Sequence, residues 1–217
     1  MCDMISEQLQ HEYRATIRRA KRRPVQTPEQ RKQRTQLLDS LIYEVWNGKP
    51  VYYAGYQDVL AQTKTTDEIM SSSLIQGLLI ARIIIQLAQT LDLKKYVVGT
   101  NELGVRFKKS DWRACDIVIF ERDDLTGQDL NKYASVPPKV VIEIDTKADF
   151  TQFDSDFDYY QKKTGQLLSF GVEKVIWIFT QSEKVWVAEP AKDWLIKNWT
   201  QPIEVLPDCS FTLSELV

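Results

Sequence analysis

The chain of 217 residues has one histidine, three scattered cysteines and no glycine-rich phosphate loop. The histidine, His11, lies in a polar N-terminal segment, which argues against Ser-His-Asp sites, Cys-His nucleophiles and multi-histidine zinc sites. The cysteines lack the spacing of metal ligands and are typical of free thiols in a reducing compartment. Without a phosphate loop of either common kind, no nucleotide cofactor is expected. Any catalysis must therefore depend on carboxylates and lysines.

Long apolar runs are also missing. The longest apolar stretch, Leu74 to Leu87, carries Gln76, Arg82 and Gln86, so it does not predict a membrane span. The N-terminus is polar and has no apolar signal core. A hydrophobic content of 43% with 27% charged residues is ordinary for a soluble globular protein. We therefore expect a cytoplasmic protein with no membrane partner.

Charge is unevenly distributed along the chain. Residues 11–34 hold nine of the 28 Lys and Arg residues and two of the 30 Asp and Glu residues, so the rest of the chain has a net charge of −9. The basic segment suits three roles: contact with DNA phosphates, packing against a second subunit in a homodimer, or a solvated tail. The acidic remainder does not predict a uniformly basic DNA-binding face.

Local signals divide the first half of the chain into helices and a hairpin. Residues 5–23 are typical of a polar, basic helix or of a partly disordered arm. Thr27–Gln30 combine a capping threonine, a proline and a glutamine that predict the start of the next helix. Asn47-Gly48 favours the tight turn of a hairpin. A capping box at Thr65 and Glu68 predicts one long, largely apolar and central helix that ends near Leu91.

The second half alternates strands and a helix. The order of a helix, strands, a helix and strands predicts an α/β or α+β fold, in which a mixed sheet packs against helices. We place the boundary between a basic helical N-terminal arm and this domain at residue 36, which gives domains 1–36 and 37–217. The predicted elements are strands near 96–98, 104–107, 114–120 and 139–145, a helix near 152–170, and strands at 175–179 and 184–188.

Acidic residues occur in two neighbouring predicted strands. Asp116 interrupts a strand that is otherwise suited to burial. Glu143, Asp145 and Lys147 alternate at the end of the next strand, so we expect their side chains to project from the same face. One acid on each of two adjacent strands, with a cation close by, is the arrangement that divalent-metal nucleases use. The pattern predicts a metal site.

A lysine lies on the apolar stripe of the following helix. Lys163 comes three residues after Tyr160 and four before Leu167, on the face that should contact the core. Its neighbour Lys162 points about 100° away. A buried lysine near carboxylates would orient a nucleophile or stabilise charge at a phosphate.

Six segments in order between Leu41 and Val217 resemble the bacterial Uma family of restriction-endonuclease-like proteins, which belongs to the PD-(D/E)xK nuclease superfamily. No single segment is specific, but their order and spacing are. The segments are Tyr43–Gly48, Asn101–Arg106, Arg113–Ile119, Pro138–Ile144, Lys163 with Gly171-Val172 and Val175–Phe179, and Pro207–Leu213.

The resemblance implies a restriction-endonuclease-like core and hydrolysis of DNA phosphodiester bonds with Mg²⁺, for which Mn²⁺ can substitute. It implies that Asp116 and Glu143 are catalytic residues and metal ligands, and that the backbone carbonyl of Ile144 is a further ligand. Asp145 is either a third metal ligand or a solvent-facing bystander. Mg²⁺ favours such oxygen ligands, and typically one or two carboxylates.

Two lysines compete for the catalytic position. Asp145-Thr-Lys147 is a literal acid-x-lysine sequence, whereas Glu143 can instead pair with Lys163 from the following helix. The resemblance and the apolar stripe favour Lys163, and both lysines remain candidates.

The chain departs from the family pattern at three places. Cys115 replaces the usual proline before Asp116, the sequence after Glu143 differs, and Ser72 stands at a position that is often histidine. These departures motivate the alternative that the protein is a catalytically inactive scaffold with a nuclease fold, which binds DNA or protein.

Overall fold

The protein is described here by a computed structural model that covers residues 27–217. Contacts divide the chain after Ser40, and the described part before this point is helix α1 (Pro28–Ser40). The Thr27 hydroxyl accepts a hydrogen bond from the Gln30 amide at 3.2 Å, and Gln30 Oε1 accepts one from the Thr27 amide at 2.9 Å. The predicted start of this helix is confirmed. The predicted helix over 5–23 lies outside the described residues.

Leu41–Val217 form the second unit, which is built on a mixed sheet. Within this range eight strands follow the order β2-β1-β4-β5-β6-β7-β8, with β3 paired to β4, and only β5 and β6 run parallel. A separate hairpin joins β9 and β10. The strands are β1 (Ile42–Trp46), β2 (Lys49–Tyr52), β3 (Tyr96–Lys108), β4 (Asp111–Glu121), β5 (Val140–Ile144), β6 (Lys174–Phe179), β7 (Lys184–Ala188), β8 (Leu195–Asn198), β9 (Ile203–Leu206) and β10 (Cys209–Phe211).

Helices pack on both faces of this sheet. Alternate side chains of a strand point to opposite faces, so Ile117 belongs to a core with α4 while Val118 belongs to a core with α5. Burial on both faces explains why the central strands are almost continuously apolar. The predicted mixed sheet flanked by helices is confirmed. The helices are α2 (Tyr56–Leu60), α3 (Thr66–Met70), α4 (Leu74–Thr90) and α5 (Asp156–Phe170), with 3₁₀ turns at Arg122–Leu125 and Leu213–Glu215.

The prediction of one long helix from Thr65 to Leu91 is wrong. The capping box at Thr65 forms, but it caps only the five residues of α3. Serine side chains compete for backbone hydrogen bonds, and Ser73 starts a new helix by accepting a hydrogen bond from the Gln76 amide at 3.3 Å. Helix α4 is also less central than expected, since Leu74 is 80% exposed. Among the described helices, none combines the length and apolar character that a membrane span needs.

The two strands predicted near 96–98 and 104–107 are one strand, β3, with an irregularity in its middle. The pairing of β3 with β4 shifts register between Thr100 and Leu103. Asn101 and Glu102 at this point have φ values of 71° and 52°, in the left-handed region that non-glycine residues rarely adopt. The bulge brings Glu102 to the cavity described below.

Candidate functional site

Asp116 and Glu143 face each other across β4 and β5. The antiparallel register pairs Ile117 with Ile142, which makes Asp116 and Glu143 the next opposing positions. Both carboxylates are buried, with exposures of 5% and 1%. Asp116 Oδ2 accepts a hydrogen bond of 2.8 Å from the backbone amide of Ile144. The structure therefore brings together the two acids that the sequence predicts for catalysis.

Lys163 from α5 lies against Glu143 and is fully buried. Its Nζ atom is 3.0 Å from Glu143 Oε1 and 2.7 Å from Glu44 Oε1, and it donates a hydrogen bond of 2.8 Å to the backbone oxygen of Ala114. The two carboxylate contacts are ion pairs without the alignment of a hydrogen bond. The aromatic rings of Tyr43, Tyr159 and Trp177 surround the ammonium at 5.5–5.8 Å.

Glu44 belongs to this cluster, and the sequence reasoning did not identify it as a site residue. Its side chain is fully buried on β1, where Oε2 accepts hydrogen bonds from Trp46 Nε1 at 2.9 Å and from the Tyr159 hydroxyl at 3.2 Å. The available signal was an acid inside the strand segment Tyr43-Glu44-Val45-Trp46. A charged side chain among such neighbours requires a buried partner.

The cluster contains more negative than positive charge. Asp116, Glu143 and Glu44 are three carboxylates, and the buried ammonium of Lys163 pairs with two of them, Glu44 and Glu143, so with every group ionised the charges sum to −2. Burial raises the pKa of Glu143 to about 8, where attraction to Lys163 opposes the shift and the other two carboxylates add to it. Burial also raises the pKa of Asp116 above its ordinary value, against the lowering effects of the Ile144 amide and of two lysines, Lys163 and Lys147. A proton or a cation would relieve this excess.

A cavity of about 460 Å³ adjoins Asp116. It lies where the connection between α3 and α4, the bulge of β3 and the segment after β5 meet. Lys147 lines it together with Asp116, whereas Lys163 lies behind the carboxylates, with no exposed surface. The lining residues are Tyr53, Met70, Ser71, Ser72, Ile80, Thr100, Asn101, Glu102, Asp116 and Lys147.

Lys147 ties the walls of this cavity together. Its ammonium donates hydrogen bonds to Glu102 Oε1 at 2.6 Å, to the backbone oxygen of Met70 at 2.9 Å and to the Ser72 hydroxyl at 3.3 Å. The Tyr53 hydroxyl donates to the other Glu102 oxygen at 2.7 Å. Glu102, which the sequence reasoning did not select, thus fixes the position of one candidate lysine.

Asp145 turns away from the other two acids. Its φ of 55° ends the alternation of the strand, so the expectation that Glu143, Asp145 and Lys147 share a face is wrong. Asp145 Oδ1 accepts a hydrogen bond from the Thr180 amide at 2.9 Å, and Oδ2 accepts one from the Thr180 hydroxyl at 2.6 Å. The carboxylate is therefore engaged at the end of β6.

Gln76, in the first turn of α4, marks a point where two oxygens converge. Its buried Nε2 donates to the Ile144 carbonyl at 2.9 Å and lies 3.4 Å from Asp116 Oδ2. Both oxygens therefore lie near one nitrogen, and a carboxylate and a carbonyl oxygen are ligands that a hard cation such as Mg²⁺ favours once the Gln76 amide gives way. In residues 27–217 no group of three or more His, Cys, Asp and Glu side chains could hold a metal ion. Protein ligands would therefore be one or two carboxylates with a backbone carbonyl.

No protein-family model matches the chain, and no curated protein matches it. The fold is similar to that of a crystal structure from Anabaena variabilis, described as "a putative nuclease belonging to DUF820". The TM-score is 0.53 and the identity 14%, over 67% of this chain and 81% of that chain. At this identity the similarity shows the fold alone, and it agrees with the mixed α+β architecture predicted from the sequence. Membership of the Uma family stays a prediction.

Proposed function

We propose that the protein is a nuclease that hydrolyses phosphodiester bonds of DNA with a divalent metal ion. One observation carries the proposal: Asp116 faces Glu143 across adjacent strands, and Lys163 lies 3.0 Å from Glu143. Two carboxylates on adjacent strands offer oxygen ligands to a divalent metal ion, and such an ion can activate water and stabilise charge in phosphodiester hydrolysis. The similarity of fold to a protein described as a nuclease supports the same function.

The residues present fit a magnesium ion. Asp116 and the Ile144 carbonyl would hold it with Glu143, and the formal charge of −2 in the cluster favours a divalent cation at this place. When bound, Mg²⁺ or its substitute Mn²⁺ supplies an acidified water and stabilises charge on the phosphate.

The two lysines take different roles in this proposal. Lys163 has no exposed surface, so it acts on Glu143 by fixing the carboxylate and offsetting its charge. Lys147 lines the cavity with Asp116 and is the cation that an incoming phosphate would meet. Lys163 is therefore a positioning residue, and Lys147 is the candidate for direct contact with substrate.

Replacing Asp116 with asparagine tests this proposal. We expect the rate of DNA cleavage in Mn²⁺ to fall at least about 100-fold, because the substitution removes a metal-binding charge. The rise in melting temperature that Mn²⁺ produces in the unaltered protein should disappear, since a ligand that binds the folded state stabilises it. Cleavage and a melting shift that equal those of the unaltered protein would contradict the proposal.

Asp145→Asn is the matched control. It makes the same change from carboxylate to amide, but at a residue whose oxygens accept hydrogen bonds from Thr180 and turn away from the other two acids. It should lower the melting temperature and retain both cleavage and the response to Mn²⁺. Loss of that response would instead place Asp145 among the metal ligands.

The alternative is a catalytically inactive scaffold that binds DNA or protein. It is favoured by the complete burial of Glu143 and by its pKa of about 8, which keeps this carboxylate largely protonated at neutral pH. A scaffold would show no response to Mn²⁺ in its melting temperature and would cut no form of DNA.

The basic residues of segment 14–34 are expected to contribute to DNA binding both in a nuclease and in a scaffold that binds DNA. Replacing the six Lys and Arg residues in 14–23 with glutamine should weaken DNA binding and make its salt dependence shallower by about one unit of slope for each lost phosphate contact. Fluorescence anisotropy over a series of salt concentrations measures both. An unchanged slope would mean that these residues do not contact phosphates.

A further inference from the structure

The surroundings of Asp116 limit the shape of a substrate. Asp116 is 5% exposed and borders the cavity of about 460 Å³, while Glu143 is 1% exposed. A phosphate that approaches these carboxylates must therefore enter the cavity, because the carboxylates do not stand on an open surface.

The walls of the cavity are braced. Three segments distant in sequence are joined by Lys147, which bonds to Met70, Ser72 and Glu102, and by the Tyr53 hydroxyl on Glu102. Tyr53 also pairs with Ala148 through the backbone. The mouth of the cavity does not widen without breaking several hydrogen bonds to charged groups, which are stronger than hydrogen bonds between neutral groups.

We propose that this cavity receives one nucleotide of a single-stranded DNA, and that the site cuts single strands, overhangs and flaps in preference to intact duplex. The proposal rests on the nuclease function proposed above. Pockets of about 300–1,000 Å³ are the size that holds one small-molecule ligand. A single strand can feed one nucleotide into such a space, whereas a duplex is stiff over about 150 base pairs and must unpair and unstack a nucleotide to extrude it.

The lining suits a nucleotide chemically. Lys147 offers a cation beside Asp116, while Ser71, Ser72 and Asn101 offer hydroxyl and amide groups at exposed positions. Ile80 supplies an apolar surface for a base. These groups match a phosphate, a sugar and a base in turn.

Charge favours the same substrate. The predicted domain, residues 37–217, holds 19 Lys and Arg residues and 26 Asp and Glu residues, a net charge of −7. Duplex DNA carries one charge per about 1.7 Å of its axis, roughly twice the density of one strand. An acidic domain therefore repels a duplex more strongly than a single strand.

The test compares labelled DNAs of one sequence with the full-length protein: a single strand, a blunt duplex, and a duplex with a single-stranded flap. Cleavage is measured in Mn²⁺, and binding is measured in Ca²⁺ by fluorescence anisotropy. We expect the single strand and the flap to be cut at least about tenfold faster than the blunt duplex, with cuts confined to the unpaired part. Equal or faster cutting of the blunt duplex would overturn the inference and leave the nuclease function standing.

The binding of DNA in Ca²⁺ tests the preference for single strands independently of the nuclease function. If no DNA is cut, the proposed function fails, and binding in Ca²⁺ still decides the preference. Tighter binding of the single strand supports the inference, whereas equal or tighter binding of the duplex overturns it.

Ser71→Trp tests whether the cavity itself causes the preference. Ser71 is exposed on the lining, so a tryptophan there should obstruct the mouth. We expect single-strand cleavage to fall about tenfold while the melting response to Mn²⁺ is retained. Ser182→Trp is the control, because it places the same ring on an exposed turn between β6 and β7, outside the cavity lining. This variant should cut single strands as fast as the unaltered protein does. Full activity of Ser71→Trp would show that substrate does not enter here.

Discussion

Replacing Lys163 with methionine is expected to lower the free energy of unfolding by about 3–5 kcal/mol, because removing one partner of a buried ion pair leaves the other charges uncompensated. Here two carboxylates depend on the lost ammonium, Glu44 at 2.7 Å and Glu143 at 3.0 Å. Methionine keeps much of the length of the side chain, so the effect reports charge more than volume. Urea unfolding at pH 7 measures it.

The adjacent lysine provides the control. Lys162 is half exposed and pairs with Asp158 at 2.7 Å on the helix surface, so Lys162→Met should cost no more than about 0.5 kcal/mol. Combining Lys163→Met with Glu44→Gln should cost less than the sum of the two single substitutions, since the second removes the carboxylate, 2.7 Å from Lys163, that the first leaves unpaired. A loss below about 1 kcal/mol for Lys163→Met would mean that the buried cluster is not charged as described.

The free energy of unfolding is expected to fall as the pH rises from about 5 to 8. The pKa of Glu143 is about 8 in the folded protein and 4.5 when unperturbed, so between these values the folded state binds more protons than the unfolded state. When the folded state binds more protons, the free energy of unfolding falls as the pH rises, by up to about 1.4 kcal/mol per pH unit for one group. The raised pKa of Asp116 acts in the same direction.

Glu143→Gln is the matched variant, because an amide has no proton to lose in this range. Its free energy of unfolding should vary less between pH 5 and 8 than that of the unaltered protein, measured in urea at each pH. Mn²⁺ should also reduce the slope in the unaltered protein, since it favours ionised carboxylates. If the free energy of unfolding changes equally with pH in the variant and in the unaltered protein, Glu143 does not titrate in this range.

Features that depend on neighbours in sequence were predicted well. The cap at Thr27 and the Asn47-Gly48 turn follow from local backbone chemistry, and both form, with φ values of 49° and 82° in the turn. The burial of Lys163 followed from helical periodicity alone, since a residue on an apolar stripe faces the core. The sequence placed Asp116 and Glu143 on neighbouring strands, whereas the register that makes them face each other is set by the pairing of β4 with β5.

The rest depends on contacts between distant residues or on single backbone angles. Glu44 reaches Lys163 because β1 lies beside β4, a pairing that no local pattern specifies. Asp145 leaves the common face through one left-handed φ, and Ser73 competes successfully with Thr65 as a start for the apolar helix. Such choices are decided by tertiary packing, which outweighs local propensity.

The hydrogen bond from Trp46 to Glu44 gives the cluster an optical readout. The indole N–H donates to Glu44 Oε2 at 2.9 Å, and the ring of Trp177 lies 5.5 Å from the Lys163 ammonium. Indole emission responds to nearby charge, so protonation of the carboxylates or arrival of a cation alters the fluorescence of these two rings. Two indole rings thus lie beside Glu44 and Lys163 of the buried cluster and serve as spectroscopic probes of their charge.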